Sequence, residues 1–453
     1  MAQKEVACVV QEGGRYPVKI ENWASDGSGV ARIEGMAVFV KGGIVGERCV
    51  VEVEHVGHRA AWGHIAQLLE ASSARIQPDC PYFGACGGCA LRHMDYQTEL
   101  TFKADKITQA LSRIGELTVE GLTVHGDAQP RGYRNKVQFP VGKGGEIGFY
   151  RPRSHQVVEV ERCFLHDPSM DGPRQVVKDW MAAFAVPPYD ESRHTGLVRH
   201  LYLRSNARGG MLCVVVVNGK SVPHEKELVE RLRALPGVEG ILLNVNTRRT
   251  NVVLGPENRL LWGKDYLEDA LCGVTFRLSP HSFYQVNHDQ AQRLYERVGE
   301  LAGLTGSETV LDLYCGTGTI GLTLAGRCKS LLGAEIVPAA IADARENARR
   351  NGVENARFVC ADAAEIAAQL AQTGEKIDAA IVDPPRKGLS PQVLESLLQI
   401  APRRLVYVSC DPATLARDLK GLSRQYRLVT AEGFDLFPRT EHVECCVLLC
   451  RER

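Results

Sequence analysis

The chain has 453 residues, with 54 acidic and 54 basic side chains and a formal net charge of zero. A hydrophobic content of 44% supplies apolar side chains for roughly two to four domains and excludes global disorder. The neutral balance disfavours a general nucleic-acid binder, although local basic patches could still bind one. Fifteen cysteines, no N-terminal signal segment and no run of about 18 apolar residues predict a cytoplasmic protein without membrane contact.

Residues 1–70 are predicted to form a small β-barrel with basic residues in its loops. Short β-type runs alternate there with glycine turns, and the longest example is AVFVKGGIVGERCVVEVEHV. A barrel that binds no ligand is the alternative interpretation of this segment.

Three cysteines follow in a C-x5-C-x2-C pattern, at Cys80, Cys86 and Cys89, and Cys163 is a later candidate for a fourth ligand. Thiolates suit a zinc ion or an iron–sulfur cluster, and the spacing alone favours neither. Buried cysteines that pack as small hydrophobes are the alternative, which the polar C-G-G-C loop disfavours. A radical enzyme is a further alternative, and the five-residue first gap argues against it.

A helix is predicted at about 95–115, where Leu100, Ile107, Leu111 and Ile114 form one apolar face. Strand-like runs between about 195 and 280 predict an antiparallel sheet. From about 281 to the end, helices alternate with apolar strands, a pattern typical of a parallel α/β sheet. The predicted domains are therefore 1–70, 71–280 and 281–453.

A basic segment at 131–153 contains six basic residues and one acid, Glu146. Aromatic residues lie between these charges and could stack on nucleic-acid bases. For each one, an inward-facing position in a strand is the favoured interpretation. The aromatic residues concerned are Tyr133, Phe139, Phe149 and Tyr150.

A nucleotide site is predicted in LDLYCGTGTIGL, where an apolar strand (310–313) leads into a turn at Gly316 and Gly318 and then a helix. Glu335 follows at the end of the next strand and can accept hydrogen bonds from both ribose hydroxyls. Asp362 ends the third strand and could meet an adenine amino group. The pattern suits NAD or S-adenosylmethionine, and a ligand-free strand–helix turn is the alternative.

Two further motifs end strands of the same predicted sheet. Asp383 opens the rigid turn IVDPPRKGL, and Cys410 ends the run RLVYVSC just before a helix for which Thr414 is the predicted N-cap. Parallel strands would place both beside the glycine turn along one rim. A helix N-terminus favours thiolate, so Cys410 is a candidate nucleophile, with a buried inert thiol as the alternative.

These motifs together resemble the S-adenosylmethionine-dependent RNA uracil-5-methyltransferases. The motifs that match are SFYQVN at 282–287, LDLYCGTGTIG, IVDPPRKGL, YVSCDPATLARDL and DLFPRTEHVECCVLL, in that order. The first 70 residues resemble the TRAM domain of that family, and the cysteines resemble the 4Fe–4S site of its ribosomal-RNA members. The resemblance implies a Rossmann-like α/β methyltransferase domain, a TRAM barrel and a central α+β iron–sulfur domain, with the helix near 95–115 packed on the catalytic domain.

The resemblance also implies the role of each site residue. Cys410 would be the nucleophile and Glu444 the base that removes the carbon 5 proton; partial burial should raise the pKa of Glu444. Thr319 stands where many rRNA members have Asn, which puts its cofactor contact in doubt. The cofactor would be S-adenosylmethionine, lined by Gln285, Tyr314, Gly316, Glu335, Asp362 and Asp383. The 4Fe–4S cluster would be held by Cys80, Cys86, Cys89 and Cys163.

The implied substrate is 23S rRNA, and the implied enzyme is a cytoplasmic monomer. A tRNA 5-methyluridine methyltransferase is an alternative. An adenine or guanine amino-group methyltransferase is another, and it would need no cysteine nucleophile. An RNA-binding assembly factor without catalysis is the alternative from a different class, and the intact Cys410, Glu444 and glycine turn argue against it.

Overall fold

The computed structural model describes residues 10–452, which separate into two compact units. The first unit comprises residues 10–106 and 439–441, and the second comprises 107–438 and 442–452. Compactness alone does not test the predicted division into three domains, which stays a prediction. Within the described residues, no helix is both long and apolar enough to cross a bilayer.

The first unit contains a six-stranded sheet in the order β1-β5-β6-β4-β3-β2. Strands β1 and β2 lie at opposite edges, yet only two residues separate them in the chain. The stretch between them pairs with both sides: the Ile20 N–H donates to the Glu47 carbonyl, next to β5, at 2.9 Å, and the Glu21 N–H donates to the Val30 carbonyl of β3 at 2.8 Å. The sheet therefore closes on itself into the predicted barrel. The strands are β1 Arg15–Lys19, β2 Asn22–Trp23, β3 Gly29–Ile33, β4 Met36–Lys41, β5 Arg48–Val56 and β6 Ala60–Glu70.

Alternate residues of the barrel strands fill its interior, as a period of two requires. Val38 and Val40 of β4 and Val51 of β5 are fully buried in this core. The chain then runs through residues 71–95 without a helix or a strand. Helix α1 (Tyr96–Arg113) follows, with residues 96–106 in the first unit and 107–113 in the second.

The second unit contains two large sheets and the helices that cover them. Its strands are β7 Thr123–His125, β8 Lys136–Pro140, β9 Gly148–Tyr150, β10 Val157–Glu159, β11 Val198–Ser205, β12 Met211–Val217, β13 Val238–Val245, β14 Glu257–Gly263, β15 Leu267–Leu271, β16 Val274–Leu278, β17 Thr309–Leu313, β18 Ser330–Glu335, β19 Ala356–Cys360, β20 Ala379–Val382, β21 Arg404–Ser409, β22 Tyr426–Phe434 and β23 Glu444–Arg451. Its further helices are α2 Asp171–Ala183, α3 Glu225–Arg233, α4 His288–Ala302, α5 Thr319–Ala325, α6 Pro338–Arg350, α7 Ala363–Thr373, α8 Pro391–Ile400 and α9 Pro412–Leu422.

The sheet predicted as antiparallel between 195 and 280 is mixed. Its order is β14-β13-β12-β11-β8, and β12 pairs with β13 in parallel. The prediction was wrong at this pair because α3 lies between the two strands and returns the chain to the same end of the sheet. Strand β8 also joins this sheet, from well upstream in the sequence.

The second large sheet has eight strands in the order β19-β18-β17-β20-β21-β23-β22-β7. The first five are parallel, as predicted, whereas β23 is antiparallel to both of its neighbours. The chain between β22 and β23 is short and holds no helix, so it cannot make a parallel crossover. The edge strand β7 comes from residues outside the predicted 281–453 domain.

Both faces of this sheet are covered by helices, which makes a three-layer α/β/α fold. Val310 faces a core shared with α4 and α6, and the next residue, Leu311, faces the opposite core shared with α8 and α9. Ile107 and Leu111, from the end of α1, belong to the second core and are fully buried. Strands covered on both faces explain the nearly continuous apolar runs in the sequence.

Candidate active site

Three strands of the eight-stranded sheet end side by side and continue into predicted site residues. Leu313 of β17 lies beside Val382 of β20, which lies beside Tyr407 of β21. The residues that follow these strands are Tyr314, Asp383 and Cys410. The structure therefore brings them to one edge, as expected for carboxyl ends of parallel strands.

Glu444 reaches the same edge from the opposite chain direction. Strand β23 is antiparallel to β21, with Ser409 opposite Cys445, so the register places Glu444 next to Cys410. Only 4% of Glu444 is exposed. Burial, and then the charge of Asp383, raise the pKa of Glu444, while Arg386 acts against them. The expected rise in pKa is thus present, and Glu444 is not a solvated charge at a strand edge.

The surroundings of Cys410 favour the protonated thiol over the thiolate. Burial, followed by the charges of Glu444 and Asp383, raises its pKa to about 11. Burial and these two acids act against the thiolate that a helix N-terminus favours, and the charge of Asp411 at that terminus adds a smaller effect in the same direction. The cap is Asp411 rather than Thr414: its carboxylate accepts hydrogen bonds from the Ala413 N–H at 2.9 Å and the Thr414 N–H at 3.0 Å.

The glycine turn lies between β17 and α5 and requires left-handed backbone. Tyr314, Gly316 and Gly318 all have positive φ, at 65°, 55° and 79°. The Gly316 N–H donates to Glu335 Oε2 at 3.3 Å, and the Val337 N–H donates to Glu335 Oε1 at 3.0 Å. These two bonds hold the Glu335 carboxylate at the end of β18, beside the turn, where a ribose could meet it.

The remaining predicted cofactor residues have other local partners. Asp362 is the N-cap of α7, and its carboxylate accepts from the Ala364 N–H at 2.8 Å. Gln285 is 6% exposed. The main-chain carbonyl of Gln285 accepts a hydrogen bond from Asn135 Nδ2 at 2.9 Å. Thr319 is buried, and its hydroxyl lies 3.3 Å from the Tyr295 hydroxyl.

Of the four aromatic residues in the basic segment, Phe139 is fully buried in the core below the mixed sheet. Tyr133 is 9% exposed and donates its hydroxyl proton to the Pro438 carbonyl at 3.0 Å. Phe149 packs against the core that holds Phe139, and the Tyr150 hydroxyl donates to Glu191 at 3.3 Å. The inward-facing strand position is confirmed for Phe139 on β8, whereas Tyr133 is buried outside any strand.

Asp312 is a site residue that the sequence analysis missed. It precedes the last residue of β17, is 1% exposed, and accepts from the Gly321 N–H through Oδ2 at 3.0 Å. Its Oδ1 has no hydrogen-bond partner among the described residues. Burial, helped by the charge of Asp383, raises the pKa of Asp312 to about 8. An acid just before a glycine turn is the signal that could have identified it.

Asp312 should make the protein less stable as the pH rises. The unfolded chain releases this proton near pH 4 and the folded protein only near pH 8, so the folded state binds more protons between these values. The free energy of unfolding should therefore fall from about pH 4 to about pH 8, and Asp312→Asn should flatten that slope. Urea denaturation across this range measures it.

Asp378→Asn is the matched control for this experiment. A hydrogen bond from Lys376 lowers the pKa of Asp378, so that group titrates below the range studied. Its removal should leave the slope between pH 4 and pH 8 unchanged. An Asp312→Asn slope equal to that of the wild type would contradict the buried neutral carboxyl.

The loop after β20 is a tight turn in which only glycine fits at position 388. Gly388 has φ +73°, and a Cβ there would lie 2.5 Å from Asp418 Oδ2 and 2.6 Å from the Arg417 guanidinium. Gly388→Ala should lower the free energy of unfolding by about 2–4 kcal/mol, from left-handed strain and overpacking together.

Chemical denaturation tests this prediction, with Gly352→Ala as the control. Gly352 has φ +64°, but no atom lies within 4 Å of the point that a Cβ would occupy. Gly352→Ala therefore measures the cost of the left-handed backbone alone, without a close contact. That variant should lose only about 1 kcal/mol. Equal losses at both positions would show that no close contact exists at Gly388.

This chain is similar to known RNA methyltransferases. The family model described as tRNA (Uracil-5-)-methyltransferase matches residues 251–452, and the TRAM domain model matches residues 9–65. An uncharacterized RNA methyltransferase of Clostridium tetani is 41% identical over 446 residues, which are 97% of this chain and 97% of that protein. Another, of Halalkalibacterium halodurans, is 42% identical and covers 95% of this chain and 96% of its own length.

One solved structure is similar over nearly the whole chain. It is the Pyrococcus abyssi tRNA (uracil-54, C5)-methyltransferase in complex with S-adenosyl-L-homocysteine, with a TM-score of 0.79 and 29% identity. The similarity covers 96% of this chain and all of that one.

The three-layer sheet, with its glycine turn and acidic strand ends, defines a Rossmann-like methyltransferase that uses S-adenosylmethionine. A TRAM barrel precedes it. The chain belongs to the RNA uracil-5-methyltransferase family, and its activity is the transfer of a methyl group to carbon 5 of a uridine in RNA.

Proposed function

We propose that Cys410 and Glu444 perform the methylation of carbon 5 through a covalent adduct between Cys410 and the target uracil. The observation that supports this most directly is the register of β21 and β23, which sets a thiol beside a buried carboxyl at the cofactor edge of the sheet. An amino-group methyltransferase would need neither group.

The chemistry explains why both groups are needed. Carbon 5 of uracil is a weak nucleophile. Cys410 loses its proton to solvent as its sulfur adds to carbon 6, which produces an enolate with electron density on carbon 5. Carbon 5 then displaces the methyl group from the sulfonium, which leaves S-adenosylhomocysteine. Glu444 takes the proton from carbon 5, the electron pair restores the 5,6 double bond, and the sulfur of Cys410 departs.

We propose that the cofactor lies along the edge from β18 to β20. Glu335 would accept hydrogen bonds from the ribose hydroxyls, because its carboxylate is held at the glycine turn. Asp362, at the end of β19, would meet the adenine amino group. The residues that complete this lining are Gln285, Tyr314, Gly316 and Asp383.

We propose 23S rRNA as the substrate, on the joint presence of a TRAM barrel and the cysteine motif. The barrel and the exposed basic side chains of the basic segment, such as Arg151 and Arg153, could hold the RNA backbone while the target uridine leaves its stack. Transfer RNA is the second candidate, and the similarity to the Pyrococcus abyssi tRNA enzyme favours it. The monomeric state and cytoplasmic location stay predictions.

Trapping with 5-fluorouridine tests both the mechanism and the substrate. Fluorine at carbon 5 blocks the final proton loss, so the enzyme should form a stable adduct on Cys410 with its own RNA and S-adenosylmethionine. Fragments of 23S rRNA and whole tRNA are incubated separately, and the adduct is located by denaturing gel and peptide mass spectrometry. An adduct with tRNA alone would make tRNA the substrate in place of 23S rRNA. The absence of an adduct with either RNA would contradict the covalent mechanism.

Calorimetry separates the enzyme from an inactive assembly factor. The proposed enzyme should bind S-adenosylmethionine in the absence of RNA. A protein that shows no binding of S-adenosylmethionine and forms no adduct would be the assembly factor instead.

We propose that a 4Fe–4S cluster is bound by Cys80, Cys86, Cys89 and Cys163. Within residues 10–452, no three His, Cys, Asp or Glu side chains are grouped closely enough to hold a metal ion. The donors nevertheless suit a cluster, since all four cysteines are partly buried and three of them lie within one loop, at 80–89. Two of the sulfurs accept backbone N–H bonds at 3.4 Å, Cys86 from Gly88 and Cys163 from Leu165, as cluster ligands do.

Iron and sulfide analysis of anaerobically purified protein tests this proposal. Cys86→Ser should lose the iron and the sulfide together, while Cys360→Ser, at an exposed cysteine, should retain both. Zinc in place of iron would identify the other metal that four thiolates suit. Iron retained in the Cys86→Ser protein would exclude this residue as a ligand.

A further inference from the structure

Asp418 is a buried carboxylate on α9, two turns after Cys410. It is 2% exposed, and its Oδ2 accepts two hydrogen bonds at 2.7 Å, from the Leu389 N–H and from the Tyr407 hydroxyl. Leu389 belongs to the loop that begins at Asp383, and Tyr407 belongs to the strand that ends before Cys410. One side chain therefore connects the loop, the strand and the helix.

The neighbouring Arg417 strengthens this connection from the solvent side. Its guanidinium donates to Asp418 Oδ1 through Nε at 2.9 Å and to the carbonyls of Lys387 at 2.8 Å and Leu389 at 3.4 Å. The Thr414 hydroxyl adds a bond to the Arg386 carbonyl at 3.1 Å. The backbone from 386 to 389 is thereby attached to the first two turns of α9.

These contacts determine where the 383–389 loop lies relative to Cys410. The loop's first residue, Asp383, lies at the edge of the sheet between the glycine turn and the thiol, and the fourth, Arg386, lies close enough to affect the pKa of the thiol. The loop contains no helix or strand of its own. Its position therefore depends on the bonds to Asp418, Arg417 and Thr414.

We propose that Asp418 and Arg417 are positioning residues that set the spacing between the cofactor side of the edge and Cys410. This inference rests on the proposed role of Cys410. Addition of the thiol involves Cys410 and the uracil alone, whereas methyl transfer also requires the cofactor methyl group to be in line with carbon 5. A misplacement of about 1 Å in such a geometry costs about 100-fold in rate.

Two partial reactions distinguish positioning from a general structural role. Without cofactor, Cys410 loses its proton to solvent as its sulfur adds to carbon 6, and carbon 5 takes a proton from solvent. Glu444 then takes the original hydrogen from carbon 5, the 5,6 double bond re-forms and Cys410 departs, so a tritium label at carbon 5 is released into water. With cofactor, methyl transfer is measured on the same RNA. Asp418→Asn should slow methyl transfer by about 100-fold and tritium release by less than about threefold.

Arg417→Ala provides a second variant, because its side chain is 51% exposed and the protein should fold without it. It should show the same separation of the two rates. Arg424→Ala is the matched control: that arginine follows the same helix and pairs with Glu395 on α8, away from the loop. Both of its rates should equal those of the wild type.

Equal losses of the two rates in Asp418→Asn and Arg417→Ala, or no loss in either variant, would overturn the positioning role. Absence of tritium release from the wild-type protein would overturn the proposed role of Cys410 itself, and this inference with it. The two failures are therefore distinguishable within one experiment.

Discussion

Replacement of Cys410 by alanine is expected to lower RNA methylation by about 10⁴-fold or more, since the nucleophile of a covalent mechanism is removed. The variant should still bind S-adenosylmethionine, because the glycine turn and Glu335 lie on other strands of the edge. It should form no adduct with RNA that contains 5-fluorouridine. Single-turnover methylation with labelled cofactor, run beside calorimetry, measures both properties.

Cys446→Ala is the matched control for this prediction. Cys446 is fully buried on β23, opposite Val408 of β21. The substitution therefore removes a thiol from the same part of the sheet. Its methylation rate should stay close to that of the wild type. Substantial methylation by Cys410→Ala would mean that carbon 5 is activated in some other way and would favour an amino-group or non-covalent mechanism.

Glu444→Gln is expected to stop the reaction after methyl transfer, since glutamine cannot take the proton from carbon 5. Methylated RNA should then stay attached to Cys410 even with ordinary uridine, and turnover should fall by about 10²–10⁴-fold. The variant should fold normally, because burial already disfavours the charged form of Glu444. A denaturing gel with labelled cofactor shows the adduct directly.

The wild-type pH profile offers a second test of Glu444. A base must be deprotonated to act, so activity should fall as the pH falls through the pKa of Glu444, which lies above the usual value of 4.5. Glu432→Gln is the control for the adduct, because it removes a carboxylate from the neighbouring strand β22. Normal turnover by Glu444→Gln would show that another group takes the proton.

The main motifs of the site could be predicted from sequence because each is a local pattern. The apolar runs before Tyr314, Asp383 and Cys410 are strands, and each ends within a residue of its expected position. Parallel strands share one carboxyl edge, so their alignment followed from the alternation of helices and strands. The barrel was likewise predictable from alternating residues and glycine turns.

Long-range contacts were less predictable. No local pattern indicated that β12 and β13 are parallel or that residues 123–125 add an edge strand to the catalytic sheet. Asp418 lies in the motif YVSCDPATLARDL, but the hydrogen bond that it accepts from Leu389 joins residues 29 positions apart and requires both segments to be folded.

Local sequence patterns predicted most of the helices and strands, the order of the motifs and the chemical groups available to the enzyme. The protonation of those groups depends on the folded arrangement. The pKa of Cys410 is raised to about 11 because folding buries the thiol and brings Glu444 and Asp383 beside it, from strands that are distant in sequence. Desolvation and charge interactions depend on distances in space, which the linear order of residues does not contain.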